Sequence, residues 1–246
     1  EDSGLSKSSV NQIARTTSNV LRSAWKNGVI TRDIGGLAVA PKSTNRSPVI
    51  LSAEQRNILF QETELEVDGL LVEFLLKTGM RIQKEALATT WEQVDFDMEK
   101  GKATVTVGES KTEAGEGRVI PLEEGLASRL RARFLKDQGK QLADKTWNKN
   151  NLVFCNSVGN NHNVENLRRG VWKRLKKVSD IDPRITFHDL RHNYGSYLLS
   201  EGVPIAMVSK LMGHSNVATT LNIYIHEMKE DMTKVREVMA RMVTVS

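Results

Sequence analysis

The chain has 246 residues, 39% of them hydrophobic and 26% charged, with a net charge of +5, the balance of an ordinary folded protein with room for one large domain or two unequal ones. No apolar run approaches the ~20 residues that cross a bilayer, and there is no signal-peptide pattern. The single Cys155 excludes an internal disulfide and fits a reducing cytoplasm as a small buried hydrophobe.

The chain opens at Glu1 rather than Met, which suggests a piece of something longer. Positive charge is concentrated at the front. Residues 1–46 carry Lys7, Arg15, Arg22, Lys26, Arg32, Lys42 and Arg46 against Glu1, Asp2 and Asp33, so +4 of the net +5 lies there and +1 in the remainder. A basic arm joined to a nearly neutral body points to an anionic partner. Over 8–28, Val10, Ile13, Val20, Leu21 and Ala24 recur at helical spacing, with Ser8 or Ser9 as cap and Gly28 as stop. Arg15, Arg22 and Lys26 fall off that stripe. The Gly-, Pro- and Ser-rich text from Asp33 to Pro48 reads as a linker.

Ser52 and Gln55 form a capping-box pattern that opens the next helix. A helix over 68–78, apolar on most sides, belongs in the core. Another follows Gly79-Met80-Arg81 and runs through Ala88. The β-branched stretches 103–107 and 118–122 predict two strands around a polar, Gly-rich hairpin loop that carries Lys111. Helices then follow at about 123–137, 163–178, 187–201, 205–212, 216–223 and 226–242. These elements make an α+β chain, predominantly helical, with a small antiparallel β-sheet.

The segment 186–226 holds an unusual set of polar groups. Thr186 is placed to cap a helix on which His188 and Arg191 share a face, with Leu190, Tyr194, Tyr197 and Leu198 as its apolar stripe. Gly202 stops that helix and Pro204 suits the start of the next. His214 and Tyr224 come later. Two imidazoles, a guanidinium and a phenol suit a phosphate better than a metal.

Thr78-Gly79-Met80-Arg81, Lys111-Thr112 in its hairpin, His188-Asp189-Leu190-Arg191-His192, Leu211-Met212-Gly213-His214-Ser215 and Tyr224 stand in a fixed order. That order resembles the tyrosine recombinase family, the phage and transposon integrases, from about Leu51 to the C-terminus. Residues 1–46 are similar to the closing helices of the family's all-α core-DNA-binding domain, which makes 47–246 the catalytic domain. The resemblance implies a site-specific DNA recombinase. Arg81, His188, Arg191 and His214 would surround a scissile phosphate, and Lys111 would reach in from its loop. Tyr224 would attack to form a 3′-phosphotyrosyl link, with strand exchange passing through a Holliday junction. It implies no cofactor and no metal. The partners it implies are double-stranded DNA recombination sites, touched by Arg15, Arg22, Lys26 and Arg46, and three further copies of the chain in a synaptic homotetramer. Accessory DNA-bending proteins would be further partners.

The residue types fit that chemistry independently. Guanidinium forks hold the non-bridging oxygens on which charge develops. A phenol with a pKa near ~10 ionises more readily among cations. A lysine whose pKa falls among other cations can protonate the leaving oxygen. One departure stands out. The family's acidic residue usually sits three positions after the first arginine, whereas here that position is Lys84 and the acid is Glu85, as though one residue were inserted. That leaves the bracing role of Glu85 open.

Two rivals remain at this level. His188 and His192 are four apart, like the ligands of a zinc metallohydrolase, but Asp189 replaces the expected Glu and Arg191 sets a cation beside the metal. A non-catalytic DNA-binding protein on the same fold is the other. The tail carries Met228, Met232, Val235, Val238, Met239 and Met242 on one helical face. It would dock either on its own core or on a neighbouring protomer.

Overall fold

The computed structural model describes residues 4–39, 48–97, 102–224 and 239–240. The chain divides into two compact units, residues 1–47 and 48–246. In the first unit, α1 (Lys7–Lys26) begins at Ser6, whose hydroxyl accepts from the Ser9 amide at 3.1 Å. The cap therefore lies two to three residues before the predicted serines. A short 3₁₀ turn, Gly35–Leu37, folds back onto α1. Ile13 and Val20 of the predicted apolar stripe are 54% and 61% exposed. Arg46 and half of the linker lie outside the described residues, as does nearly all of the predicted helix 226–242.

The second unit is built around α3 (Gly69–Thr78), whose Leu71, Val72, Phe74 and Leu75 are almost wholly buried. Against it pack α2 (Ala53–Leu65), α7 (Phe187–Ser200) and α4 (Glu124–Ala143). The capping box of α2 forms as predicted: the Gln55 amide donates to the Ser52 hydroxyl and the Ser52 amide to the Gln55 side chain, each at 3.1 Å.

The sheet has three antiparallel strands, β1 (Val94–Asp97), β2 (Lys102–Thr106) and β3 (Val119–Leu122). Val94 faces Val105, and Val105 faces Ile120. Those three residues are buried, so the alternation expected for β2 and β3 turns its apolar face to the core. Strand β1 went unread because Asp95 and Asp97 disfavour a strand locally, and pairing to β2 overrides that preference. Pro121 is tolerated because β3 lies at the sheet edge.

Two predicted helices need correction. Residues 82–85 form turns followed by a 3₁₀ helix, Ala86–Ala88, not an α-helix through Ala88. The predicted helix 163–178 is α5 (Val164–Leu167) and α6 (Lys173–Val178) joined by a π segment, Arg168–Trp172. Gly170, at φ −90° and ψ −108°, breaks the helical path there. Trp172 is nonetheless buried, stacked on Phe187 with centroids 5.3 Å apart. The chain ends its described course through α8 (Ile205–Met212) and α9 (Val217–Tyr224). No helix among the described residues is long and apolar enough to cross a membrane.

Candidate active site

The site forms where the C-terminal ends of α3 and α8 meet the N-terminal half of α7. Helix α7 starts as predicted: Asp189 Oδ2 accepts from the Thr186 amide at 2.7 Å and from the Thr186 hydroxyl at 2.8 Å. Helix α3 stops at Gly79, whose φ of +63° is left-handed. A Cβ there would also sit 2.4 Å from the Tyr194 ring, so only glycine fits. The stop leaves the Gly79 carbonyl without a helical partner, and buried Arg191 supplies one from Nη1 at 2.7 Å. Arg191 Nη2 donates likewise to the Met212 carbonyl in the last turn of α8. Both helix ends carry partial negative charge, which compensates a guanidinium that is only 2% exposed.

Glu85 lies beneath this arrangement. Its carboxylate accepts from Arg81 Nη1 at 2.5 Å, the Arg81 amide at 2.9 Å, the Ser110 hydroxyl at 2.6 Å and Arg118 Nη2 at 2.6 Å. Arg191 Nη1 stands 3.9 Å away. The question raised by Lys84 and Glu85 thus has a geometric answer. The Ala86 amide bonds to the Arg81 carbonyl at 3.0 Å and the Leu87 amide to the Ile82 carbonyl at 2.9 Å, each five residues back. A wide turn of this π type takes up one extra residue. Glu85 is turned inward while Lys84 stays exposed. Burial alone would raise the Glu85 pKa, but the Arg118 ion pair and the other donors outweigh it and hold the group at about 2.

Lys111 is exposed in the β2–β3 loop. Its neighbours are tied down: the Ser110 hydroxyl to Glu85, and the Thr112 hydroxyl to the Gly213 carbonyl at 2.9 Å. His214 directly follows Gly213, and its Nδ1 lies 2.8 Å from the Thr220 hydroxyl. Burial, together with Arg191 and Arg81, pushes the His214 pKa down to about 4. His188 is lowered too, by lost hydration first and then by Arg191, Arg81 and Lys111. The His188 and His192 rings meet edge to face, with centroids 4.8 Å apart. Burial and His188 hold His192 near 4. All three imidazoles are therefore neutral at pH 7, as expected beside a cluster of fixed cations that awaits an anion.

The structure thus gathers Arg81, Arg191, His188 and His214, with the Lys111 loop tied to the same groups. Tyr224 is the last residue of α9; its side chain lies outside the described residues. Arg15, Arg22 and Lys26 are exposed on α1 in the other unit. Tyr194 is buried as predicted, its pKa pushed up to about 12 by burial. Tyr197, expected in the core, is 45% exposed with the Arg56 guanidinium 5.0 Å above its ring. Among the described residues no three His, Cys, Asp or Glu side chains converge as metal ligands, so His188 and His192 gain no third ligand.

Arg118 is the residue that sequence reasoning missed. Its sequence context marks it only as a strand residue, yet it is buried against Glu85. A signal existed. Arg118 stands two and four positions before Ile120 and Leu122, so strand alternation puts it on the inward face, where an arginine requires a carboxylate.

Comparison with known proteins supports the same identity. Residues 50–231 match the model of the phage integrase family. The chain is 26% identical to the tyrosine recombinase XerD of Staphylococcus haemolyticus, over 96% of this chain and 76% of that protein. It is 30% identical to the tyrosine recombinase XerC of Corynebacterium glutamicum, over 87% and 67%. Its fold is similar to that of the Tn1549 transposon integrase solved in complex with a circular intermediate DNA, with a TM-score of 0.72, 20% identity, and 98% and 81% coverage. A lambda integrase dimer bound to a core site aligns with a TM-score of 0.60 at 19% identity, covering 87% and 74%. A family match over most of the chain, on a fold that gathers this cationic pocket, makes the chain a member of the phage integrase family, a tyrosine recombinase that cleaves and rejoins DNA at specific sites.

Proposed function

We propose that Arg81, Lys111, His188, Arg191 and His214 hold the scissile phosphate of a DNA strand and that Tyr224 attacks it. The observation that carries this reading is the convergence of Arg81 and Arg191 on one buried carboxylate, with the Lys111 loop and His214 joined to the same cluster. The guanidiniums neutralise charge on the non-bridging oxygens as the phosphorus becomes five-coordinate. The Tyr224 oxygen bonds to phosphorus while the bond to the 5′-oxygen breaks. The phenolic proton passes to a neutral imidazole of the pocket, and a Lys111 Nζ proton goes to the departing oxygen. A 5′-hydroxyl from a second strand then reverses the step, and two such exchanges pass through a Holliday junction. With the Thr220 hydroxyl donating to Nδ1, neutral His214 offers its Nε2–H to a phosphate oxygen.

The test is a covalent adduct between the chain and a nicked recombination substrate, formed in the presence of a chelator. No adduct, or one that appears only with divalent metal, would sink the mechanism. Lys111→Ala should slow cleavage by about 10²–10⁴-fold, the usual reach of a general acid. A substrate with sulfur in place of the bridging 5′-oxygen should restore it, because a thiolate leaves without a proton. Equal impairment on both substrates would exclude Lys111 as the acid.

Residues 1–46 fit the closing part of a core-DNA-binding domain, with Arg15, Arg22, Lys26 and Arg46 on backbone phosphates of double-stranded sites. The reaction belongs in the cytoplasm, which suits the buried Cys155 thiol. The methionine-bearing tail would link protomers into a synaptic homotetramer, with DNA-bending proteins as accessory partners. Truncation after about Lys229 should spare binding to a single site and weaken pairing of two, as read by gel shift and crosslinking. Unchanged pairing with a large loss of thermal stability would place the tail on its own core instead.

A further inference from the structure

We propose that Arg118, together with Thr112, is a positioning device that holds the Lys111 loop in place and so controls protonation of the departing 5′-oxygen. The inference rests on the assignment of Lys111 above.

Arg118 joins three parts of the fold through one guanidinium. Its Nε donates to the Leu211 carbonyl at 2.9 Å, in the last turn of α8. Its Nη1 donates to the Gly115 carbonyl at 2.6 Å, inside the loop that carries Lys111. Nη2 meets Glu85 Oε2 at 2.6 Å, and Nη1 lies 3.3 Å from Glu85 Oε1. The same residue therefore fastens the loop to the helix that precedes His214 and to the carboxylate beneath Arg81. Its side chain is only 4% exposed, and all three of its nitrogens already donate to protein acceptors.

The far side of the loop is fastened to the same helix end by the Thr112 hydroxyl on the Gly213 carbonyl. No slack remains between these parts. A Cβ on Gly213, whose φ is +62°, would stand 2.7 Å from the Gly115 Cα and 3.0 Å from Arg118 Nη1. Lys111 is thus a long exposed side chain on a root whose two neighbours, Ser110 and Thr112, are both bonded to the active-site wall. A proton donor must come within hydrogen-bond reach of its acceptor, and a displaced root forfeits that reach even when the ammonium is intact. The planar fork of arginine can serve a carboxylate and two carbonyls at fixed angles. A lysine ammonium in its place keeps the charge against Glu85 but loses that simultaneous geometry.

The experiment uses the full chain with nicked substrates whose scissile bridging atom is oxygen or sulfur. Arg118→Lys and Thr112→Val are compared with wild type and with Lys111→Ala. On the oxygen substrate Arg118→Lys is expected to slow adduct formation by about 10²-fold and Thr112→Val by about 10-fold, within the range a misplaced general acid loses. On the sulfur substrate both should return to within about threefold of wild type, as Lys111→Ala does, since the step no longer needs the proton. Equal loss on the two substrates, or no loss on oxygen, overturns the proposal. Thermal melts accompany each variant. If Arg118→Lys fails to fold, Thr112→Val, which removes one peripheral hydroxyl and nearly preserves shape, decides the matter by the same two outcomes. If Lys111→Ala itself is not rescued by sulfur, the acid assignment fails and takes this inference with it. If wild type forms no adduct at all, the recombinase reading fails first.

Discussion

Tyr224→Phe is expected to reduce covalent attachment to a nicked substrate by about three orders of magnitude or more, as loss of a nucleophile typically does. DNA binding should change little. The phenyl ring keeps the size of the side chain, and the cations proposed to hold the phosphate, Arg81, Lys111 and Arg191, are untouched. Binding is read by gel shift and attachment by a protein band that retains labelled DNA under denaturing conditions. A persistent adduct would direct attention to Tyr197, which is exposed. It would not implicate Tyr194, whose ring is packed against Gly79 and whose pKa of about 12 resists ionisation.

Glu85→Ala is expected to be the most damaging substitution for stability. Removing the carboxylate leaves Arg118 and Arg191 as buried cations without their shared counter-charge. Breaking a buried pair from one side typically costs about 3–5 kcal/mol. For a unit of this size, that is a fall of roughly 10 °C in melting temperature. Cleavage should fall with it, because Arg81 loses its two bonds to that carboxylate, through its amide and through Nη1. Glu85→Gln keeps the shape and part of the hydrogen bonding, so its loss should be intermediate. A shift of less than a few degrees for the alanine variant would show that helix-end carbonyls alone satisfy the two arginines.

The same carboxylate predicts how stability depends on pH. Its folded pKa, about 2, lies below the ordinary value of 4.5. Its contribution is therefore fully present above about 4.5 and is lost as pH falls toward 2, because the unfolded chain binds the proton first. His192 and His214, held near 4 against an ordinary 6.5, act in the same direction over a higher window. Stability should thus begin to decline below about pH 6.5 and keep declining below 4.5, where the histidine contribution levels off near 4 and that of Glu85 takes over. In Glu85→Ala the lower acid limb, below about 4, should be reduced while the histidine limb remains. An unchanged acid limb in that variant would assign the loss to other carboxylates.

Much of this chain was legible before any coordinate. Helix limits follow from local signals: the reciprocal caps Ser52–Gln55 and Thr186–Asp189, the stop at Gly79, and the turn at Gly202 before Pro204. Their physics involves residues within one turn of each other, so spacing alone reveals them. The apolar density of α3 announced the core, and the ordered motifs announced the family. Tertiary structure decided the remainder. Strand β1 exists because β2 pairs with it, against the preference of its two aspartates. Tyr197 follows the periodicity of a core residue yet is 45% exposed, because among the described residues no element covers that turn of α7 apart from the Arg56 side chain laid over it. Glu85 takes the bracing position only because the chain widens by one residue between Arg81 and Leu87. Arg118 matters only because the fold sets it against a carboxylate 33 positions earlier. Buried charges choose partners by three-dimensional proximity and by the cost of leaving a charge unpaired in a dry interior, and neither leaves a periodic trace in the sequence.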